Sequence, residues 1–115
     1  MAALLAELIA QVAHEADRRL CAITGEEQAQ GWHEFPDRNR VIDRVKFVIA
    51  NKGDGDDASH EAWMGQQLLA GWRWGETFDP RTKRDPWLIP FDELPEDRQR
   101  RDRLFRSVVL ALTDQ

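Results

Sequence analysis

The chain has 115 residues, of which 42% are hydrophobic and 32% are charged, and this size and composition are those of one domain with one core. Its 21 acidic and 16 basic residues give a net charge of -5, which argues against unspecific nucleic-acid binding, and we expect no specific nucleic-acid binding. The lone Cys21 cannot form an internal disulfide, and no apolar run approaches the roughly 18 residues of a membrane span. We therefore expect a single domain, residues 1–115, located in the cytoplasm and without a membrane partner.

The first half of the chain predicts two amphipathic helices. Apolar residues keep helical spacing from Ala2 to Thr24, and Gly25 is a typical residue at the end of a helix. A second helix opens at Phe35-Pro36 and ends near Asn51-Lys52-Gly53. The apolar positions are Leu4, Leu5, Leu8, Ile9, Val12, Ala16, Leu20 and Ile23 in the first helix and Val41, Ile42, Val45, Val48 and Ile49 in the second.

The second half predicts two more helices with a β-hairpin between them. The third helix begins at Asp57 or Ser59 and ends at Gly71. Aromatic and β-branched segments at 72–75 and 87–91 predict the two strands, and Pro95 opens the last helix. The predicted fold class is mainly α with a small β-hairpin. The apolar positions are Trp63, Met64, Leu68 and Leu69 in the third helix, and Leu104, Phe105, Val108, Val109 and Leu112 form the buried stripe of the fourth.

Two motifs recur in the same order along the chain. His14-Glu15-Ala16 and His60-Glu61-Ala62 each precede a glycine by nine residues, and the segment 34–37 resembles 93–96 around a proline. The simplest interpretation is two helix pairs related by a pseudo-twofold axis, with the hairpin inserted in the second pair. Because each matched motif is short, chance similarity is the alternative.

The repeated His-Glu pair predicts a structural role. A zinc site on a helix needs a second histidine one turn later, where Arg18 and Met64 stand, so we expect no metal and no cofactor. The favoured interpretation is that His14 and His60 hydrogen-bond across the core to a carboxylate, such as Asp43 or Asp102. No base is spaced to activate Cys21, and no glycine-rich phosphate loop is present, so we do not expect an enzyme.

The hairpin region combines aromatic and basic side chains. Tryptophan faces stack on nucleobases and arginine forks fit phosphate, so this combination suits a nucleotide pocket. The alternative for the tryptophans is ordinary core packing, and the arginines of the last helix are either phosphate ligands or a solvated helix face. The candidate ligand-binding residues are Trp72, Trp74, Arg73, Lys83, Arg84 and Trp63, with Trp72 as the first choice of platform.

A family resemblance runs from about Val12 to Leu112. Gly71-Trp72-Arg73-Trp74-Gly75, followed by Asp79-Pro80, Lys83, Pro86, Leu88, Pro90-Phe91, Glu93-Leu94-Pro95 and Asp102, resembles the ryanodine receptor repeat, or RyR, domain. The upstream segments Ala13–Ala16 and Ser59–Trp63 are similar to that family as well. Trp74 and Phe91 depart from it, since the family commonly has tyrosine at both positions.

The resemblance implies a mainly helical domain that occurs in tandem in calcium-release channels and as stand-alone copies in bacterial and phage proteins. In those receptors, the paired repeats of the family form a clamp that can hold adenine nucleotides against tryptophan. We therefore expect a stand-alone, non-enzymatic sensor or sequestering protein for a nucleotide-like ligand, acting as a homodimer that rebuilds the clamp. The alternative is a protein interaction module that uses the tryptophan-rich hairpin.

Overall fold

The computed structural model describes residues 2–113, with side chains from Leu5 onward, so Leu4 of the predicted stripe lies outside the described side chains. A mainly helical fold with one small β element confirms the predicted fold class. Within the described residues, no helix has both the length and the apolar character needed to cross a membrane. The elements are α1 (Ala2–Thr24), α2 (Arg38–Ala50), α3 (Ala58–Leu69), β1 (Arg73–Trp74), β2 (Arg84–Asp85), a 3-10 helix (Phe91–Glu93) and α4 (Glu96–Thr113).

Helices α1 and α3 end in the same way. Gly25 and Gly71 have φ angles of +80° and +93°, which a glycine adopts without steric cost. The following amides reach back five residues, from Glu26 N to Cys21 O and from Trp72 N to Gln67 O, at 2.9 Å in both cases. These bonds satisfy carbonyls that the helix leaves unpaired. Both predicted helix ends are therefore confirmed, with a shared cap.

The core lies between α1, α2 and α4, and α1 enters it with small side chains. Ala6, Ala10 and Ala13 are buried, whereas Leu8 and Val12 are 53% and 49% exposed. Alanine allows neighbouring helices to approach closely, and this close approach leaves the larger side chains at the edges of the contact. The apolar stripe predicted for α1 is wrong at four described positions, because Leu5, Leu8, Val12 and Ile23 are exposed. The stripe predicted for α4 is wrong at one position, because Leu112 is exposed.

The β element is a parallel pair and not a hairpin. Arg73 pairs with Arg84 and Trp74 with Asp85. The chain first turns back through an antiparallel bridge between Asp79 and Arg84. The predicted second strand, residues 87–91, is wrong, because a turn and the 3-10 helix occupy this segment. Proline at both 86 and 90 removes backbone donors there, which disfavours pairing in a sheet.

Candidate ligand-binding cleft

The first His-Glu motif joins α1 to the segment that leads into α2. The Nε2–H of His14 donates to the carbonyl oxygen of Gln30 at 2.7 Å, since a carbonyl only accepts. The Oε2 atom of Glu15 accepts the backbone N–H of Trp32 at 3.0 Å. We call this arrangement the first clasp. It fixes both the tautomer of His14 and the direction of the chain as it enters Phe35-Pro36.

The second motif makes the same contacts in the other half of the chain. The Nε2–H of His60 donates to the carbonyl oxygen of Ile89 at 2.7 Å. The backbone N–H of Phe91 donates to Oε1 of Glu61 at 3.4 Å. In both clasps the accepting carbonyl and the donating amide lie two residues apart, and the amide belongs to an aromatic residue, Trp32 or Phe91. The repeated motifs therefore form a repeated structure.

The hydrogen-bond partners predicted for the two histidines are wrong. Both rings bond to backbone carbonyls, whereas Asp102 accepts a hydrogen bond from Arg44 at 2.8 Å and Asp43 is exposed. The reason is local, because the chain entering α2 and the 3-10 helix presents its carbonyls directly to the rings. Backbone acceptors carry no signature in residue identity, so the sequence offered no signal for them. Within residues 2–113, no group of three or more His, Cys, Asp or Glu is arranged to hold a metal ion.

A cleft of about 630 Å³ lies among the four helices, each of which contributes residues to its lining. It brings together all four predicted structural polar residues and two of the five tryptophans. Its size falls in the range of small-molecule pockets. The lining comprises Ala13, His14, Asp17, Phe35, Asp37, Arg40, Val41, Asp43, Arg44, Phe47, Ser59, His60, Ala62, Trp63, Gln66, Trp87, Leu94, Arg98, Arg101, Asp102 and Phe105.

Two arginines of the cleft are neutralised by neighbouring carboxylates. Arg101 donates hydrogen bonds to both carboxylate oxygens of Asp17, at 2.7 and 2.9 Å, and this hydrogen bonding raises the pKa of Arg101. Arg44 binds Asp102, and its guanidinium lies 4.0 Å from the ring centroid of Phe105. Both pairs link different helices, so they act as fixed parts of the wall.

Arg98 differs from these two arginines. Its guanidinium lies 3.8 Å from the ring centroid of Trp87. Within the described part of the chain, no carboxylate oxygen lies within 4 Å of its nitrogens. Burial and the positive charge of Arg101 lower the pKa of Arg98. Arginine remains protonated in proteins, so the cleft contains a half-buried cation without a close counter-charge.

The tryptophan-rich segment after α3 lies outside the cleft. Trp72 is half-buried and stacks on Phe78, with 5.7 Å between ring centroids. Trp74 is 53% exposed, and Arg84 is exposed. Of the six predicted ligand-binding residues, Trp63 alone lines the cleft.

Two of the predicted phosphate-binding side chains complete the end of α3. Arg73 Nη1 donates to the carbonyl oxygens of Trp72 and Leu68, at 2.7 and 3.2 Å. Lys83 Nζ donates to the carbonyl oxygen of Ala70 at 2.8 Å. Carbonyls at the end of a helix attract cations, so these contacts hold the segment against α3.

Comparison with known proteins identifies the family of the second half of the chain. Residues 56–112 match the family model described as RyR domain. The matched range contains α3, the β element, the second clasp and α4, together with the whole of the Gly71–Asp102 signature. A search of curated proteins found no match to the chain. Over residues 56–112, the chain belongs to the RyR domain family.

Proposed function

We propose that this protein is a non-enzymatic, cytoplasmic binding module that takes a nucleotide or nucleotide-derived small molecule into the central cleft. The observation that carries the proposal is the shared lining of that cleft by Trp63, Trp87 and the unpaired Arg98. A planar ring stacks on an aromatic face with roughly 1–3 kcal/mol per base. An anionic group on the same ligand provides a partner for the guanidinium.

The cleft fits this role better than the Trp72 segment does. Trp63 packs against His60 in a tilted arrangement, with 5.5 Å between ring centroids, and His60 is fixed by its bond to Ile89. A platform held in this way loses little freedom when a ligand binds. By contrast, the two cations near Trp72, Arg73 and Lys83, already donate to carbonyl oxygens at the end of α3.

The non-enzymatic part of the proposal is supported by the state of the one thiol. Cys21 is fully buried, and burial raises the pKa of its side chain. A buried neutral thiol is a poor nucleophile. The histidines of the cleft are committed to backbone carbonyls through Nε2, which is a structural use of the ring.

Isothermal titration with adenosine, ADP and ADP-ribose tests the proposal. We expect Trp63→Ala to weaken binding about tenfold or more, as loss of one stacking contact implies. Trp74→Ala is the matched control, because this ring is exposed and lies outside the cleft. If no ligand binds, or if Trp63→Ala binds as well as the wild type, the proposal is wrong. If Trp72→Ala alone abolishes binding, the ligand site is the segment after α3.

A second candidate function is protein binding through that segment. Leu69, Phe78 and Trp74 are 92%, 58% and 53% exposed, and exposed aromatic clusters are common at protein interfaces. We propose a second copy of the chain as the partner, in a homodimer formed through this segment. Sedimentation velocity of the wild type and of a Trp74→Ser, Phe78→Ser double variant tests this. A monomeric wild type, or a dimer that the double variant leaves intact, contradicts it.

A further inference from the structure

We propose that Arg98, stacked on Trp87, is the residue that selects anionic ligands over neutral ones in the cleft. This inference rests on the proposed function, because it assigns the part of the ligand that carries phosphate. Arg98 and Trp87 take no part in the hydrogen bonds of either clasp. The site would take the phosphate or pyrophosphate group of a nucleotide.

The charges around Arg98 leave it free for a ligand. Three carboxylates act on it at longer range, from Asp97, Asp102 and Asp85. Asp102 is bound by Arg44, and Asp85 is buried and accepts the backbone N–H of Trp87 at 2.8 Å. Asp97 is on the exposed side of the first turn of α4. None of them closes a salt bridge with Arg98 within 4 Å.

Trp87 determines where the guanidinium is presented. A cation over an indole face gains favourable energy without using its N–H donors. The stacked fork therefore keeps its donors for a second, in-plane partner, which is the geometry in which arginine binds phosphate. The main chain at Trp87 is in turn held by the hydrogen bond from its backbone N–H to the buried Asp85. The result is an oriented donor set rather than a mobile surface arginine.

The other cations of the lining do not offer this arrangement. Arg101 and Arg44 are already bound to Asp17 and Asp102. Arg40 is exposed on α2, and Asp37 and Asp43 nearby are exposed as well. Exposed charges are screened by water and salt. The half-buried Arg98 is thus the cation in the lining best able to distinguish an anion from a neutral molecule.

The test compares adenosine, ADP and inorganic pyrophosphate on the wild type, Arg98→Gln and Arg100→Gln. Arg100 is exposed, lies two residues away on α4 and is outside the lining, so it is the matched control. We expect the wild type and Arg100→Gln to bind ADP about tenfold or more tightly than adenosine, as a charge-assisted bond implies. Arg98→Gln should lose this preference while keeping its affinity for adenosine.

Pyrophosphate tests the anion site without the planar group. We expect the indole N–H resonance of Trp87, assigned with Trp87→Phe, to shift with pyrophosphate in the wild type and in Arg98→Lys but not in Arg98→Gln. The inference is overturned if Arg98→Gln retains the ADP preference or if pyrophosphate does not move this resonance. Failure of adenosine to bind, with a pyrophosphate response intact, instead removes the planar-ligand part of the proposed function and leaves the anion site standing.

Discussion

His14 and His60 make the same hydrogen bond, at the same 2.7 Å, to carbonyl oxygens in the two halves of the chain. Each ring is followed by a glutamate that accepts an amide two residues beyond that carbonyl. The second half has about thirteen additional residues between these partners, and they contain the β element. The extra segment therefore lengthens the connection without altering the clasp.

Loss of either clasp histidine should destabilise the fold. His14→Leu and His60→Leu each leave a carbonyl oxygen without its donor, for which we expect a cost of about 1–3 kcal/mol in the free energy of unfolding. His33→Leu is the control, since His33 is exposed. Urea denaturation measures all three variants. Clasp variants as stable as His33→Leu would show that the repeated bond contributes little to stability.

The alanine face of α1 should resist enlargement. Ala10 is fully buried against neighbouring helices, and replacing a methyl by an isobutyl side chain at such a position typically costs about 1–3 kcal/mol through overpacking. We expect Ala10→Leu to lower the melting temperature, whereas Leu8→Gln changes stability by less than about 0.5 kcal/mol because Leu8 is half exposed. Differential scanning calorimetry compares the two. The reverse ranking would mean that α1 packs through its leucine edge.

Arg106 should hold the loop between α2 and α3. It is 7% exposed and donates from Nη2 to the carbonyl oxygens of Lys52 and Asp54. Arg106→Met keeps most of the volume and removes the donors, so we expect a loss of about 1–3 kcal/mol. We also expect faster proteolysis in residues 53–57. Arg100→Met serves as the exposed control, and equal cleavage rates in the two variants would contradict this role.

The carboxylate of Glu15 should make the free energy of unfolding depend on pH in the acid range. Burial raises its pKa, but hydrogen bonds from Arg18 and from the Trp32 amide outweigh burial and lower it below the ordinary 4.5. A depressed pKa adds stability above the unfolded value, which is lost as pH falls through the folded value. Glu15→Gln should therefore lose less stability than the wild type between about pH 6 and pH 3.

Urea unfolding across this pH range tests the Glu15 prediction. Glu7→Gln, on the exposed side of the same helix, is the control that should follow the wild type. Parallel pH profiles for Glu15→Gln and the wild type would show that the carboxylate contributes no pH-dependent stability to the first clasp.

The parts of this fold that depend on local chemistry were predictable. Gly25 and Gly71 end helices because a left-handed cap favours glycine, and the repeated His-Glu motif forms the same hydrogen bonds at both of its positions. The alanine face of α1 was not predictable from spacing, because apolar residues stand on both sides of the helix. The partners of the clasp histidines were missed because they are backbone atoms.

The cleft itself depends on tertiary structure. Trp63, Trp87 and Arg98 come from three separate segments of the chain, so no motif joins them. The tryptophan-rich segment 72–75 attracted the ligand prediction because its aromatic and basic residues are adjacent in the chain. In the structure, Arg73 of this segment and the more distant Lys83 cap the end of α3.

Helix α3 forms one wall of the cleft yet contributes a single buried side chain, His60. The opposite wall belongs to helices that share the main core. Segments with few buried contacts open at low free-energy cost, so amide hydrogens of α3 should exchange with solvent faster than those of α1. Since Trp63 lies on this wall and Arg98 on α4, a ligand that touches both will slow that exchange. Occupancy of the cleft can then be read from the protection of one helix.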